Sequence, residues 1–293
     1  MHGKTLEADY LVIGSGAMGM AFTDTLMTET EATVIMVDRH HQPGGHWNDA
    51  YSHVRLHQPS AFYGVNSKKL GSDTLDTTGW NQGLYELATD SEVCAYVDQV
   101  MQRQFLASGR VQYFPMCEYT GDRQFHSLVS DDQFSVVADK VVDATYMKVT
   151  VPSMRAPAYE VAQGATCLPP NALPRVAGQY DRYVIVGAGK TGVDACLFLL
   201  KNGVDPDNIA WVMPRDSWIL DRANIQPLKF QQQTIGGFAQ EMEVIAQAES
   251  LDDLFDGVNA SGRLLRLDEN VRPTMYRCST VTMDELDQLR RIN

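Results

Sequence analysis

Two glycine-rich stretches, each followed by a charged residue, are the parts of this sequence whose types and spacing could do chemistry. The first is Gly14-Ser-Gly16-Ala-Met-Gly19, and Asp38 lies 24 residues after Gly14. In such a G-x-G-x-x-G loop the first glycine permits a tight turn, the second lets a pyrophosphate approach the backbone, and the third lets a helix pack against a strand. The start of that helix offers unpaired N–H groups and the positive end of its dipole to phosphate. The pattern therefore predicts a dinucleotide site, with the Asp38 carboxylate accepting hydrogen bonds from an adenosine ribose.

The sequence around this first glycine loop (Gly14–Gly19) predicts the elements that must position it. Tyr10–Ile13 is a short apolar run before the loop, Met20–Phe22 follows it, and Ala32–Val37 is a second apolar run that ends at Asp38. This order reads as strand, turn, helix and strand. The alternative is a glycine-rich loop in some other α/β fold. The predicted cofactor-binding residues here are Gly14, Ser15, Gly16, Ala17, Met18, Gly19, Asp38 and Arg39.

A second copy of the pattern begins 173 residues after the first, counted from Gly14 to Gly187. Tyr183–Val186 predicts a strand, Gly187-Ala-Gly189-Lys-Thr-Gly192 repeats the loop, and Val193–Lys201 predicts a helix. It is not a Walker A loop, because the first glycine of that motif would fall at Val184. Two such loops in one chain are far more specific evidence for dinucleotide binding than one loop.

The residue after the next strand of this second glycine loop (Gly187–Gly192) differs in kind from Asp38. The predicted strand Ile209–Met213 is followed by Arg215. An acidic residue favours a free ribose 2′-OH, whereas a nearby arginine accommodates a 2′-phosphate. The second site is therefore predicted to prefer NADP; the alternative role of Arg215 is an ordinary surface cation. The predicted cofactor-binding residues of this site are Gly187, Gly189, Lys190, Thr191, Gly192 and Arg215.

Between the two loops lies a segment rich in aromatic and hydrogen-bonding groups. Pro43-Gly44-Gly45 predicts a turn, His46 and Trp47 follow it, and Tyr51–Ser60 suits a wall that faces a flat, polar ring system. The alternative is an ordered surface loop stabilised by its own side chains. The histidines of this region lack a supporting cysteine or carboxylate pattern, so no metal site is predicted.

The amino-acid composition limits which partners and which cellular compartment we expect for the protein. The net charge of −13 repels phosphate backbones, so nucleic acid is not an expected partner; a solvated acidic surface accounts for the charge. The five cysteines lie far apart, which argues against a zinc or dithiol centre and fits a reducing compartment. No signal peptide and no apolar span of about 20 residues is present, so we expect no membrane association and a cytoplasmic protein.

Further elements predict how the chain divides. Ser91–Leu106 has apolar residues at helical spacing, with Ser91 as N-cap, and Arg123–Ser130 with Gln133–Ala138 predicts an antiparallel pair. Lys140–Thr145 reads as a buried strand, and the proline-rich stretch 152–178 as a connector. The prediction is an α/β protein with a first domain over residues 1–178, which contains a small antiparallel meander, and a second over 179–293.

These motifs, in this order, resemble the flavin-containing monooxygenases among the flavoproteins with two dinucleotide-binding domains. The resemblance rests on the two glycine loops, the turn Gly44-Gly45-His46-Trp47 and the strand end Asp143-Ala-Thr145. It implies two Rossmann-like domains of the three-layer ββα type, FAD in the first and NADPH in the second. It also implies hydride transfer to the flavin and hydroxylation of a small organic substrate through a flavin peroxide. Gly45, His46, Trp47 and Thr145 would then be further FAD contacts.

His57 and Gln58 stand where family members place an asparagine near the flavin, so the resemblance makes them the candidate catalytic residues, with Gln58 also in contact with the cofactor. The family's F-x-G-x-x-x-H-x-x-x-[YF] signature and its C-terminal return segment are not found. We therefore expect loosely held FAD and either a homo-oligomer or a completing partner chain. The alternatives are an NAD(P)H-dependent flavin reductase or oxidase without oxygen insertion, and a truncated, non-catalytic nucleotide-binding protein.

Overall fold

The computed structural model describes residues 3–147 and 152–292, and the chain divides into two compact units. Unit 1 comprises Met1–Ala50, Tyr63–Leu70 and Thr89–Ala165; unit 2 comprises Tyr51–Phe62, Gly71–Ala88 and Thr166–Asn293. The predicted domain boundary at residue 178 stays a prediction. Two loop segments from the first half of the chain, 51–62 and 71–88, pack with the second half.

Unit 1 is an α/β unit on one six-stranded sheet. Its elements are β1 (Gly3–Ile13), α1 (Ala17–Glu29), β2 (Val34–Val37), β3 (Gly64–Val65), β4 (Lys68–Lys69), α2 (Asp90–Val100), β5 (Val111–Phe114), β6 (Cys117–Gly121), β7 (Gln124–Ser127) and β8 (Gln133–Asp143). The strand order is β5-β2-β1-β8-β7-β6. The first four of these strands run parallel, and β8, β7 and β6 form an antiparallel meander. The apolar side of the sheet packs on a core that includes Leu11, Ile35 and Phe125.

The strand β8 corrects the prediction of two separate strands over this stretch. Polar Asp139 and Lys140 interrupt the apolar pattern, but the pairing with β1 continues past Asp139, with Ala138 opposite Ala8 and Lys140 opposite Tyr10. The meander also contains β6, which the sequence pattern did not indicate. The N-cap of α2 lies two residues earlier than predicted, because Thr89 rather than Ser91 caps the helix and forms a capping box with Glu92.

Unit 2 is also α/β. Its elements are α3 (Leu173–Val176), β9 (Tyr183–Val186), α4 (Lys190–Lys201), β10 (Ile209–Val212), β11 (Ser217–Asp221), α5 (Gln231–Gln247), α6 (Leu251–Ala260), β12 (Leu264–Leu265), β13 (Met275–Val281) and α7 (Met283–Leu289). The strands β9 and β10 form a parallel pair joined by α4, which confirms the predicted second strand–loop–helix–strand unit. A separate three-stranded sheet has the order β12-β11-β13.

The terminal helix α7 has Thr282 as its N-cap, in a capping box with Glu285. Its Leu286 packs with Cys196 of α4 and Val281 of β13 in one apolar cluster. Within the described residues, no helix is both long and apolar enough to cross a bilayer.

Candidate functional site

A cleft of about 590 Å³ opens in unit 1 where β1 and β2 end and α1 begins. The carboxyl ends of parallel strands are where open α/β sheets bind ligands, and the volume is in the range of small-molecule sites. Nine of the residues predicted to bind a cofactor line this cleft: Gly14, Gly16, Ala17, Met18, Asp38, Arg39, Gly45, His46 and Thr145.

The first glycine loop has the geometry that its spacing predicts. Gly14 has φ +96° and donates its N–H to the Val37 carbonyl at 2.8 Å. A Cβ on Gly19 would lie 2.0 Å from the Gly14 carbonyl oxygen, so this position has no room for a side chain. The N-cap of α1 is Gly16, which provides no side-chain cap, and the first turn carries no acidic residue. The N–H groups at the start of α1 are therefore open to an anion.

The predicted turn at Gly44 and Gly45 packs directly on this loop. The Gly44 N–H donates to the Ser15 carbonyl at 2.9 Å, and both glycines have positive φ, +125° and +56°. A Cβ on Gly45 would lie 2.9 Å from the Gly16 Cα. A side chain at Gly45 would therefore push the turn off the loop. The Trp47 ring stacks beside His46, with ring centroids 5.7 Å apart, and Trp47 does not itself line the cleft among the described residues.

Asp38 is fully engaged by neighbouring protein groups. Its Oδ2 accepts from the Ser15 N–H at 2.5 Å and from the Ser15 hydroxyl at 2.8 Å. Its Oδ1 accepts from the His40 N–H at 2.8 Å and lies 2.9 Å from His40 Nδ1. A carboxylate offers about four acceptor positions, and these contacts fill them. Asp38 thus ties the glycine loop to the segment after β2, and a ribose hydroxyl would have to share or replace one of these bonds.

His40 and Tyr113 complete this network, and the sequence analysis gave neither a role in the site. His40 Nε2 lies 2.9 Å from the Asp49 carboxylate, so the imidazole bridges two acids. The Tyr113 hydroxyl lies 3.2 Å from the Ser15 hydroxyl, and burial raises the pKa of that phenol. The D-x-H spacing could have pointed to His40, since an aspartate commonly accepts from the N–H two residues on. No group of three or more His, Cys, Asp or Glu in residues 3–147 and 152–292 is arranged to hold a metal ion.

The second glycine loop, in unit 2, repeats the construction of the first. Gly187 has φ +120° and donates its N–H to the Val212 carbonyl at 3.0 Å. A Cβ on Gly192 would lie 2.2 Å from the Gly187 carbonyl oxygen, which also accepts from the Trp211 indole at 2.9 Å. The N-cap of α4 is Gly189, again with no side-chain cap. This helix start is likewise open to an anion.

Two cationic side chains, those of Lys190 and Arg277, lie in or near the second loop. Lys190, the first residue of α4, is held by both carboxylate oxygens of Asp194, and the Tyr51 hydroxyl donates to the same carboxylate at 2.6 Å. Arg277 of β13, which no sequence pattern indicated, brings its Nη1 to 3.4 Å from the position that a Gly189 Cβ would occupy. The predicted 2′-phosphate ligand, Arg215, is exposed.

The candidate catalytic pair lies in unit 2, in the segment 51–62 that packs with the second loop. His57 Nδ1 lies 3.2 Å from the Cys278 carbonyl. Its pKa is lowered to about 4, mainly by burial and then by the charge of Lys190. Gln58 is half-buried, and its side chain makes no hydrogen bond within the described part of the chain, which leaves the amide available. The roles of both residues at a flavin stay predictions.

We expect unit 2 to lose stability in mild acid because of His53 and His57. Burial is the main reason that the pKa of each is lowered from 6.5 to about 4, and both His53 ring nitrogens are buried without a hydrogen-bond partner in the described residues. The unfolded chain binds protons near pH 6.5 and the folded chain only near pH 4. Stability is therefore complete above pH 6.5 and falls as the pH drops from 6.5 towards 4, by roughly 1–2 kcal/mol per histidine at pH 5.

The measurement is urea unfolding at pH 7 and pH 5 for the wild type and His53→Phe. The imidazole packs in tilted contacts against the rings of Tyr51 and Phe198, at centroid distances of 4.6 and 4.3 Å, so a phenyl ring suits the site. The variant should lose less stability between the two pH values than the wild type. An equal loss of stability in both proteins would show that His53 does not contribute to the pH dependence.

Comparison with known proteins gives close relatives without a described activity. The chain is 58% identical over 290 residues to uncharacterized proteins of Mycobacterium tuberculosis (strain H37Rv) and Mycobacterium bovis, a match that covers 99% of this chain and 54% of each relative. The chain therefore spans about half the length of these relatives. No protein-family model matches it. Among solved structures, a flavin-containing monooxygenase from Stenotrophomonas maltophilia aligns with a TM-score of 0.49 and 14% identity, over 94% of this chain and 72% of that one.

Proposed function

We propose that this chain is an oxidoreductase of monooxygenase type that binds FAD in the cleft of unit 1 and NADPH at the second glycine loop of unit 2. The observation that carries the proposal is the first loop itself. The uncapped start of α1, the missing Cβ of Gly16 and the cleft above them form a cradle that fits a pyrophosphate. The order of the two loops and the Gly44–Gly45 turn supports FAD in unit 1.

The residues of unit 1 have distinct tasks in this proposal. The N–H groups at the start of α1 bind the pyrophosphate, and Arg39, at the edge of the cleft, adds the positive charge. Asp38 holds the loop in shape through Ser15 and, by sharing one acceptor position, binds the adenosine ribose. Gly45 allows the turn to lie against the loop.

The second loop would bind NADPH in the same way. Arg277 supplies positive charge next to its N–H groups, Lys190 offers its backbone N–H at the start of α4, and Arg215 binds the 2′-phosphate. FAD, when bound, supplies the hydride acceptor and the oxygen chemistry. His57 is neutral at pH 7 because its pKa is about 4. It and the free amide of Gln58 can therefore offer hydrogen bonds without adding charge, and their role at a flavin stays a prediction.

The visible spectrum of the purified protein tests the proposal. Bound FAD gives a flavin spectrum, and NADPH added without oxygen should bleach it. Oxygen admitted afterwards should yield a hydroxylated product with candidate small organic substrates. Bleaching followed by peroxide with every substrate would favour the flavin reductase or oxidase, and protein that takes up no FAD when FAD is supplied would overturn the proposal.

We expect Arg215→Ala to abolish the preference for NADPH over NADH. A charge-assisted hydrogen bond to a phosphate contributes about 1.5–3 kcal/mol, which corresponds to roughly ten- to a hundredfold in affinity. The measurement is titration of both cofactors, which should show weaker NADPH binding and unchanged NADH binding. Arg272→Ala is the control, because that exposed guanidinium is already paired with Asp252 and Asp256. An unchanged NADPH/NADH ratio in Arg215→Ala would remove Arg215 from the site.

A further inference from the structure

One face of the β9–β10 sheet is apolar, and no other element among the described residues of unit 2 covers it. The two strands are parallel, and their register places Val184 beside Ala210 and Val186 beside Val212. The alternate residues of these strands, Tyr183, Ile185, Ile209 and Trp211, pack into the cores formed with α4. On the other side Val184, Val186 and Val212 are 61%, 55% and 47% exposed. We call Val184, Val186, Ala210 and Val212 the open valine face.

Such a face is unusual for parallel strands. Sheets of parallel strands have both faces covered, and their strands are apolar throughout for that reason. A strand with one face in water alternates apolar and polar residues, whereas every residue of both strands here is apolar, aromatic or alanine. A two-stranded sheet with a single covered face is also marginal by itself. The composition of β9 and β10 therefore fits strands that are buried on both sides.

We propose that the open valine face is the docking surface for a polypeptide layer that corresponds to the part of the mycobacterial relatives outside their match to this chain. The match covers 54% of each relative, so just under half of their length is available for this role. This inference does not rest on FAD or NADPH binding.

A second copy of the chain fits the face poorly. Each copy carries a net charge of −13, so two copies repel each other. Three valines and an alanine also present far less than the roughly 800 Å² per partner of a stable protein interface. An apolar layer in the same chain, or one held by further contacts, is not subject to these two limits.

Thiol labelling tests the proposal. Val184→Cys and, separately, Val212→Cys are made in this chain alone and in this chain joined to the outside part of the M. tuberculosis relative, in the order found in that relative. Maleimide modification of the peptide with the new cysteine is followed by mass spectrometry. Lys201→Cys is the matched control, since Lys201 is exposed at the end of α4, on the helix side of the same sheet.

We expect both valine-face cysteines to react about tenfold or more slowly in the longer chain, where tenfold corresponds to about 1.4 kcal/mol of opening, and Lys201→Cys to react equally in both. Equal rates at the valine face in the two chains would overturn the proposal. Protection in the short chain that grows with protein concentration would also overturn it, because a second copy would then be the occupant.

Discussion

Gly19→Ala should weaken FAD binding by roughly a hundredfold and destabilise unit 1. The added Cβ would lie 2.0 Å from the Gly14 carbonyl oxygen and 3.1 Å from the Gly14 carbonyl carbon. Both atoms belong to the backbone, so no side chain can rotate away, and α1 must move off the loop. Overpacking of this kind destabilises by about 1–3 kcal/mol or more. The displaced N–H groups would lose their contacts to the pyrophosphate, at about 1.5–3 kcal/mol each, so we expect affinity to fall by roughly a hundredfold.

The measurements are FAD titration by fluorescence and the thermal midpoint of the apoprotein. Gly236→Ala is the matched control: this glycine also lies in a helix, α5, and its Cβ would meet nothing within 4 Å. Alanine there should leave FAD binding unchanged and stabilise by about 0.5–1 kcal/mol. Wild-type affinity and wild-type melting in Gly19→Ala would show that the loop does not hold the cofactor through this packing.

The sequence predicts the glycine loops because their geometry is local. The positive φ of Gly14 and Gly187, and the contact of Gly19 with Gly14 or of Gly192 with Gly187, arise within six residues. The same is true of the cap of α7, where Thr282 and Glu285 are three apart. In each case the residues that decide the structure are neighbours in the chain, so spacing alone identifies them.

Contacts between distant residues explain what the sequence could not show. The spacing of Asp38 after the loop indicates a ribose ligand, but it does not show that Ser15 and His40 already fill the carboxylate. The continuity of β8 depends on its pairing with β1, more than a hundred residues away. Arg277 reaches the second loop only because β13 pairs with β11 in the fold. The spacing of apolar residues along the chain does not indicate which distant segments pair.

Arg222→Leu should destabilise unit 2 by about 3–5 kcal/mol, because it breaks a buried ion pair and leaves its partners unsatisfied. The side chain is 2% exposed. Its Nη1 lies 2.9 Å from the Glu285 carboxylate and 3.2 Å from the Asn81 amide oxygen. Its Nε and Nη2 donate to the carbonyls of His57 at 2.8 Å and of Thr280 at 3.0 Å.

Two further arginine variants separate the contribution of the network from that of charge. Arg272→Leu removes an exposed arginine that pairs with Asp252 and Asp256, and such surface pairs contribute about 1 kcal/mol or less. Arg222→Lys keeps the charge but loses the planar fork, so one ammonium has to serve acceptors in different directions. We expect its stability to lie between those of the wild type and Arg222→Leu.

Urea unfolding followed by tryptophan fluorescence measures this effect in the right unit, since Trp80, Trp211 and Trp218 belong to unit 2 and only Trp47 belongs to unit 1. The midpoint should fall in the order wild type, Arg222→Lys, Arg222→Leu, with Arg272→Leu near the wild type. Because Arg222 also binds the His57 carbonyl, its loss should free the segment that carries His57 and Gln58. Proteolysis within 51–62 should then become faster in Arg222→Leu, even where the protein remains folded. Midpoints for Arg222→Leu and Arg272→Leu that agree within error would mean that the buried network contributes no more than a surface pair.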